Sequence, residues 1–182
     1  MMMRILTIAL VLLLSCSAQA AEQTAIPNDI VSSNPMLANT LPGAIQNLLN
    51  YAVSYEGASY VRGGANPDKG FDCSGFVRYV FDRTEGIVLP HSAKALSQIG
   101  SRIKMAEMLP GDLVFFRTLR NRISHVGIYL GNGQFIHASS TQTGSVMISS
   151  LKESYWVRHF SLARRLDVPD ESAVQSNTVS AK

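Results

Sequence analysis

FDCSGFVRYVF, residues 71–81, is the stretch whose reading decides the fold. Phe76, Val77, Val80 and Phe81 recur at helical spacing, so the segment is expected to bury one face of a helix. Asp72 is a good N-cap residue, which puts Cys73, Ser74 and Gly75 in the first turn. Unpaired N–H groups and the positive end of the helix dipole gather there. A thiol in that position is expected to lose its proton more readily than a free one, whose pKa is about 8.5. The competing reading is that Cys73 is simply a small buried hydrophobe, a common fate of unpaired cysteine.

The remainder of the chain frames this segment. Its 182 residues leave room for one domain plus ends. The formal charge of +3 is scattered, with no basic cluster of the kind that grips nucleic acid. Arg4 followed by the apolar run Ile5 to Leu14 reads as a signal-peptide core, because about ten apolar residues are too few to span a bilayer. Ala18-Gln19-Ala20 then offers a cleavage site that makes residues 1–20 the leader. Leu13-Leu14-Ser15-Cys16 also resembles a lipidation box, so membrane attachment is expected only if Cys16 carries lipid. Of the two cysteines, Cys73 alone belongs to the folded part. An odd thiol in an exported protein calls for a chemical role.

Residues 21–40 read as a flexible linker, poor in large apolar side chains, and residues 168–182 as a disordered tail. Between them, residues 41–167 form the expected domain. Ile45, Leu48, Leu49, Ala52 and Val53 mark a helix that Gly57 is expected to end. A turn or short helix is expected from Ser92 to Gln98. After Gly100 the texture becomes strand-like. Leu113–Phe116 is an apolar run, Val126–Ala138 carries a hairpin signature around Gly131-Asn132-Gly133, and Ser145–Ser150 and Ser161–Leu166 are further strands. Helices first and antiparallel strands afterwards make an α+β fold. Trp156 is expected to be a packing anchor.

A nucleophilic thiol needs a base, and the base needs a partner to hold its ring. His125 and His137 lie on the two hairpin strands. With a three-residue loop, Gly127 faces His137 and both rings stand on one face as diagonal neighbours. With a two-residue loop, Asn132-Gly133, the rings point to opposite faces and cannot cooperate. A metal site built from the two histidines and Cys73 is the alternative, although no close-spaced ligand pair supports it. His91 and His159 read as surface residues.

Five blocks occur in order: YVRGG (60–64), FDCSGFV (71–77), LPHS (89–92), PGDLVFF (110–116) and SHVGIYLGNGQFIHA (124–138). Together they resemble the NlpC/P60 family of cell-wall cysteine peptidases. The single-domain layout is similar to the small murein endopeptidases of Gram-negative bacteria. The family often has Trp or Leu where Arg62 stands, and Arg where His91 stands.

The resemblance implies a papain-like α+β fold, with the sulfur of Cys73 at a helix tip facing two imidazoles. It implies Cys73 as nucleophile, His125 as general base, His137 as the group orienting His125, and Tyr60 on the oxyanion side. It also implies a thiolate–imidazolium pair, no metal and no cofactor. The expected partners are peptidoglycan stem peptides, not nucleic acid. The protein is expected to be a monomer in the periplasm or cell envelope. A non-catalytic wall-binding protein, or another amidase or acyl-transfer enzyme, is the other reading of the same blocks.

Overall fold

The computed structural model describes residues 41–119, 121–140 and 144–168. The expected leader, linker and tail therefore lie outside the described residues, apart from Val168 at the tail's edge. At the centre is the helix read from residues 71–81. It runs over Cys73–Glu85, here α2. Asp72 caps it by accepting the Gly75 N–H at 2.7 Å, and Gly86, at φ 65°, ends it in a left-handed cap.

Ahead of it, α1 spans Gly43–Val53 and buries Leu48, Leu49 and Ala52. It closes four residues before Gly57; the intervening turns end at Gly57 with φ 87°. Two short antiparallel strands, β1 (Ala65–Asn66) and β2 (Gly70–Phe71), lead into α2. One turn, α3 (Ala93–Leu96), follows α2 within the expected segment.

The second half is a six-stranded sheet: β3 (Ser101–Ile103), β4 (Leu113–Phe116), β5 (His125–Gly131), β6 (Gln134–Ala138), β7 (Val146–Ser150) and β8 (Phe160–Arg165). The strand order is β3-β8-β4-β5-β6-β7, and every pairing is antiparallel. A short helix, α4 (Ser154–His159), precedes β8. Buried Asp112 accepts two hydrogen bonds from the Arg165 guanidinium, at 2.7 and 2.8 Å, and ties the turn before β4 to the end of β8. The fold is the α+β arrangement expected.

Alternation along the strands divides the core in two. Leu113, Phe115, Val126, Ile128, Ile136 and Ala138 pack with α1 and α2. Val114, Phe116, Phe135 and Ala163 form a second cluster with Trp156 of α4. The sheet is thus covered on both faces, by different helices.

The β5–β6 hairpin corrects a sequence expectation. The turn is only Asn132-Gly133, with φ of 54° and 78°, and it closes on the pair Gly131↔Gln134. Both central residues have positive φ, as a type I′ turn requires. A bulge between Tyr129 and Gly131 then shifts the register back, so that Ile128 faces Ile136. Gly131 absorbs the extra residue at φ 97°. The short loop therefore does not separate the two histidines.

Candidate active site

Cys73 is the first residue of α2, and its immediate surroundings leave little room. A Cβ at Gly75 would overlap the carbonyl of Gly64, and one at Gly64 would overlap the carbonyl of Gly70. The backbone of the 61–64 loop is thereby pressed onto the helix start. Asp72 holds the junction. Its Oδ2 accepts the Gly63 N–H at 3.0 Å, and its Oδ1 accepts the Ser74 hydroxyl at 3.0 Å.

His91 also reaches Oδ1 of Asp72, through Nε2 at 3.0 Å. It is an exposed residue, as expected, yet it is fastened to the residue beside the thiol. The sequence signal that marks it is its place after Leu89-Pro90, where the chain turns back toward the start of α2. His159 is half-buried on α4, where its Nδ1 bonds the Tyr155 carbonyl at 2.7 Å.

Helix α2 packs on the first cluster, and the two imidazoles contact Phe116, Phe135 and Trp156 of the second. The sulfur of Cys73 lies at the start of α2, beside the first residues of β5. It meets β5 at the strand's end, where Sγ lies 3.9 Å from the Ser124 carbonyl oxygen. The Val126 N–H also points at the sulfur. Ser124 and Val126 flank His125, so the thiol abuts the backbone on either side of that residue.

His125 Nε2 lies 2.9 Å from His137 Nδ1. His137 is fully buried, and its Nε2 lies 3.0 Å from the Ser149 hydroxyl on β7. Gly127 makes the approach possible, because a Cβ there would lie 2.7 Å from the Phe135 ring and 3.2 Å from the His137 Cβ. Two proton arrangements satisfy the chain from His125 to Ser149. In one, each Nε2 carries hydrogen and donates toward Ser149, leaving Nδ1 of His125 as a bare lone pair. In the other, Ser149 donates and every proton is shifted one place back.

Ser149 escaped the sequence reading. In β7 it stands opposite Phe135, two residues along β6 from His137. The period-2 alternation of β7 would have found it once the β6–β7 register was known. Trp156 also proved to be more than an anchor: its ring stacks on His125 at 5.4 Å and meets His137 at 5.0 Å.

Burial governs the electrostatics. It pushes the Cys73 thiol up to about 11, helped by the charge of Asp72 and opposed by the N–H groups of Val126, Ser74 and Cys73 itself. Burial likewise lowers His125 to about 4. His137 is driven further down, by burial and then by His125. Burial thus works against the expected ion pair, raising the thiol and lowering the imidazoles. Desolvation and the Asp72 carboxylate outweigh the helix dipole here. Tyr60 is half-buried, and its hydroxyl is raised by burial and by the charges of Cys73 and Asp72, which places it within electrostatic reach of the thiol. Among the described residues, no group of three histidine, cysteine or acidic side chains is arranged to hold a metal ion.

The sequence model of the NlpC/P60 family matches residues 57–165, and the chain belongs to that family. Gamma-DL-glutamyl hydrolase of Bacillus subtilis is 43% identical over 129 residues, which is 69% of this chain and 31% of that protein. Murein DD-endopeptidase MepH of Escherichia coli is 42% identical over 125 residues, 66% of this chain and 45% of that protein. The chain thus spans less than half the length of these two curated relatives. A solved structure from Staphylococcus aureus, described as similar to lipoprotein, NLP/P60 family, matches with a TM-score of 0.60 at 38% identity. It covers 67% of this chain and 41% of that one.

Proposed function

We propose that the chain is a cysteine peptidase that hydrolyses amide bonds of peptidoglycan stem peptides or their cross-links. The observation that carries this reading is the hydrogen-bonded chain His125–His137–Ser149, with a helix-start thiol against the backbone that flanks His125. A wall-binding protein would have no use for two desolvated imidazoles lined up behind a cysteine. The printed name of MepH, a murein DD-endopeptidase, supports the substrate class.

In this reading Cys73 is the nucleophile, and Nδ1 of His125 takes its proton as the sulfur attacks the amide carbonyl. The proton passes from sulfur to imidazole on the way to attack. His137 holds the His125 ring, with Ser149 holding His137. Tyr60 and the N–H groups at the start of α2 receive the developing oxyanion. His125 then gives its proton to the leaving amine. In the second half it removes a proton from water, which releases the carboxylic acid and returns the proton to sulfur.

Residues 41–167 are the catalytic domain in this reading, and residues 1–20 direct it to the periplasm or cell envelope. Lipidation of Cys16 would place it on the outer membrane. The test is to incubate purified sacculi with the wild type and with Cys73→Ala, and to weigh the released muropeptides. Release by the wild type alone is expected. Equal release by both would remove the proposed chemistry, and the masses identify the bond cut.

A further inference from the structure

The helix α4 presents three consecutive side chains very differently. Tyr155 and Val157 are 41% and 58% exposed, whereas Trp156 between them is 5% exposed. Its indole lies nearly parallel to the His125 imidazole, 24° apart, with centroids 5.4 Å apart. It is edge-on to His137 at 5.0 Å and 76°. Phe116 and Phe135 close the other sides, at 4.7 and 5.1 Å from the indole. Among the described residues the indole N–H has no hydrogen-bond partner. Packing rather than a hydrogen bond therefore sets the indole's place.

Burying an indole on a sheet explains an anchor. It does not by itself explain why the face of the ring is laid on the imidazole of His125, whose flanking backbone meets the thiol. An aromatic face carries negative charge density and attracts a cation within about 6 Å of its centroid. The His125 ring is inside that distance, and it becomes a cation in each half of the proposed reaction.

Resting on the hydrolase reading, we propose that Trp156 is a positioning residue for His125, whose indole face orients the imidazole and stabilises it when it carries a proton. Water is kept from the His125–His137 hydrogen bond by the same ring. In the free site burial disfavours the protonated imidazole. The indole face opposes this without adding a charge. Other ionisable groups on the surrounding elements include Cys73 and Asp72 at the start of α2, Tyr129 on β5, His137 on β6, Tyr155, Arg158 and His159 on α4, Arg164 and Arg165 on β8, and Arg117 after β4.

Trp156 is the sole tryptophan of the chain, so biosynthetic incorporation of fluorinated tryptophan alters this position and no other. Fluorines drain the charge of the ring face while nearly preserving its shape. The experiment compares protein carrying tryptophan, 5-fluorotryptophan and tetrafluorotryptophan. The titration midpoint of His125 is read by NMR, assigned with His125→Gln, and wall-peptide hydrolysis is measured beside it. With tetrafluorotryptophan the midpoint is expected to fall by roughly 0.5 to 1 pH unit. A fall of roughly three- to tenfold in kcat is expected, with KM within about twofold. The monofluorinated protein should lie between, which keeps the test alive if the heavier label disturbs folding. An unchanged His125 midpoint across the series would overturn the proposal. If none of the proteins releases wall peptides, the hydrolase reading fails, while the NMR midpoint still decides the role of Trp156.

Discussion

Ser149 stands 3.0 Å behind Nε2 of His137, on the far side of the ring from His125. The hydroxyl is buried and fixes which proton arrangements the imidazole chain can adopt. Removing it leaves one His137 nitrogen without a partner, at a cost of about 1–3 kcal/mol. Ser149→Ala is therefore expected to lower thermal stability and kcat, with KM little changed. Ser149→Thr should recover part of both. Steady-state kinetics and calorimetry of the two variants check this.

His137 makes two hydrogen bonds, one through each ring nitrogen. A side chain that keeps a polar group near Nδ1 should preserve the orientation of His125. His137→Asn is expected to retain measurable hydrolysis, and His137→Leu to lose it almost wholly. Equal rates for the two variants would take His137 out of the site.

Gly127 offers a test of packing. An added Cβ meets Phe135, the Ile136 carbonyl and His137, with backbone and ring atoms that cannot swing aside. Gly127→Ala is expected to destabilise the protein by about 1–3 kcal/mol. Activity should fall by more than that loss of folded protein accounts for, because His137 is displaced. Denaturant melts and kcat at saturating substrate separate the two effects.

The ionisation of the site predicts the pH dependence of stability. The ordinary histidine value is 6.5, and in the folded protein His125 falls to about 4, with His137 lower still. Below 6.5 the unfolded chain takes up protons that the folded rings refuse, so stability falls as pH drops from 6.5 through about 4. The Cys73 thiol is raised from 9.0 to about 11. Above 9 the unfolded chain gives up a proton that the folded thiol keeps, so stability falls again toward 11. Melting temperatures should form a plateau between about 6.5 and 9. His137→Leu should flatten the acid slope, and Cys73→Ala the alkaline one.

Much of this was legible from residues alone. The helix after Asp72 was, because a capping residue and a 3.6-residue apolar stripe coincide. So were β4 to β8, whereas β1, β2 and β3 are too short to leave a pattern. The union of His125 and His137 rested on register, and there the sequence reading erred in its physics. It treated loop length as the sole determinant, whereas a bulge at Gly131 lets a two-residue turn keep the same facing. Ser149 and Trp156 were invisible as site residues because each arrives through a tertiary contact, one across β6–β7 and one from a helix beyond the sheet. The forces on the thiol's ionisation were only partly readable for a related reason. Helix position is local and readable, but burial and the nearness of the Asp72 charge come from the fold.

The account turns on sulfur chemistry at Cys73, and its most direct measurement is the mass of the protein caught during turnover. Wild type mixed with purified stem peptide and quenched in acid should gain the mass of the acyl fragment. Digestion should place that mass on the peptide containing Cys73. Turnover with no adduct in the quenched samples, together with undiminished hydrolysis by Cys73→Ala, would contradict it.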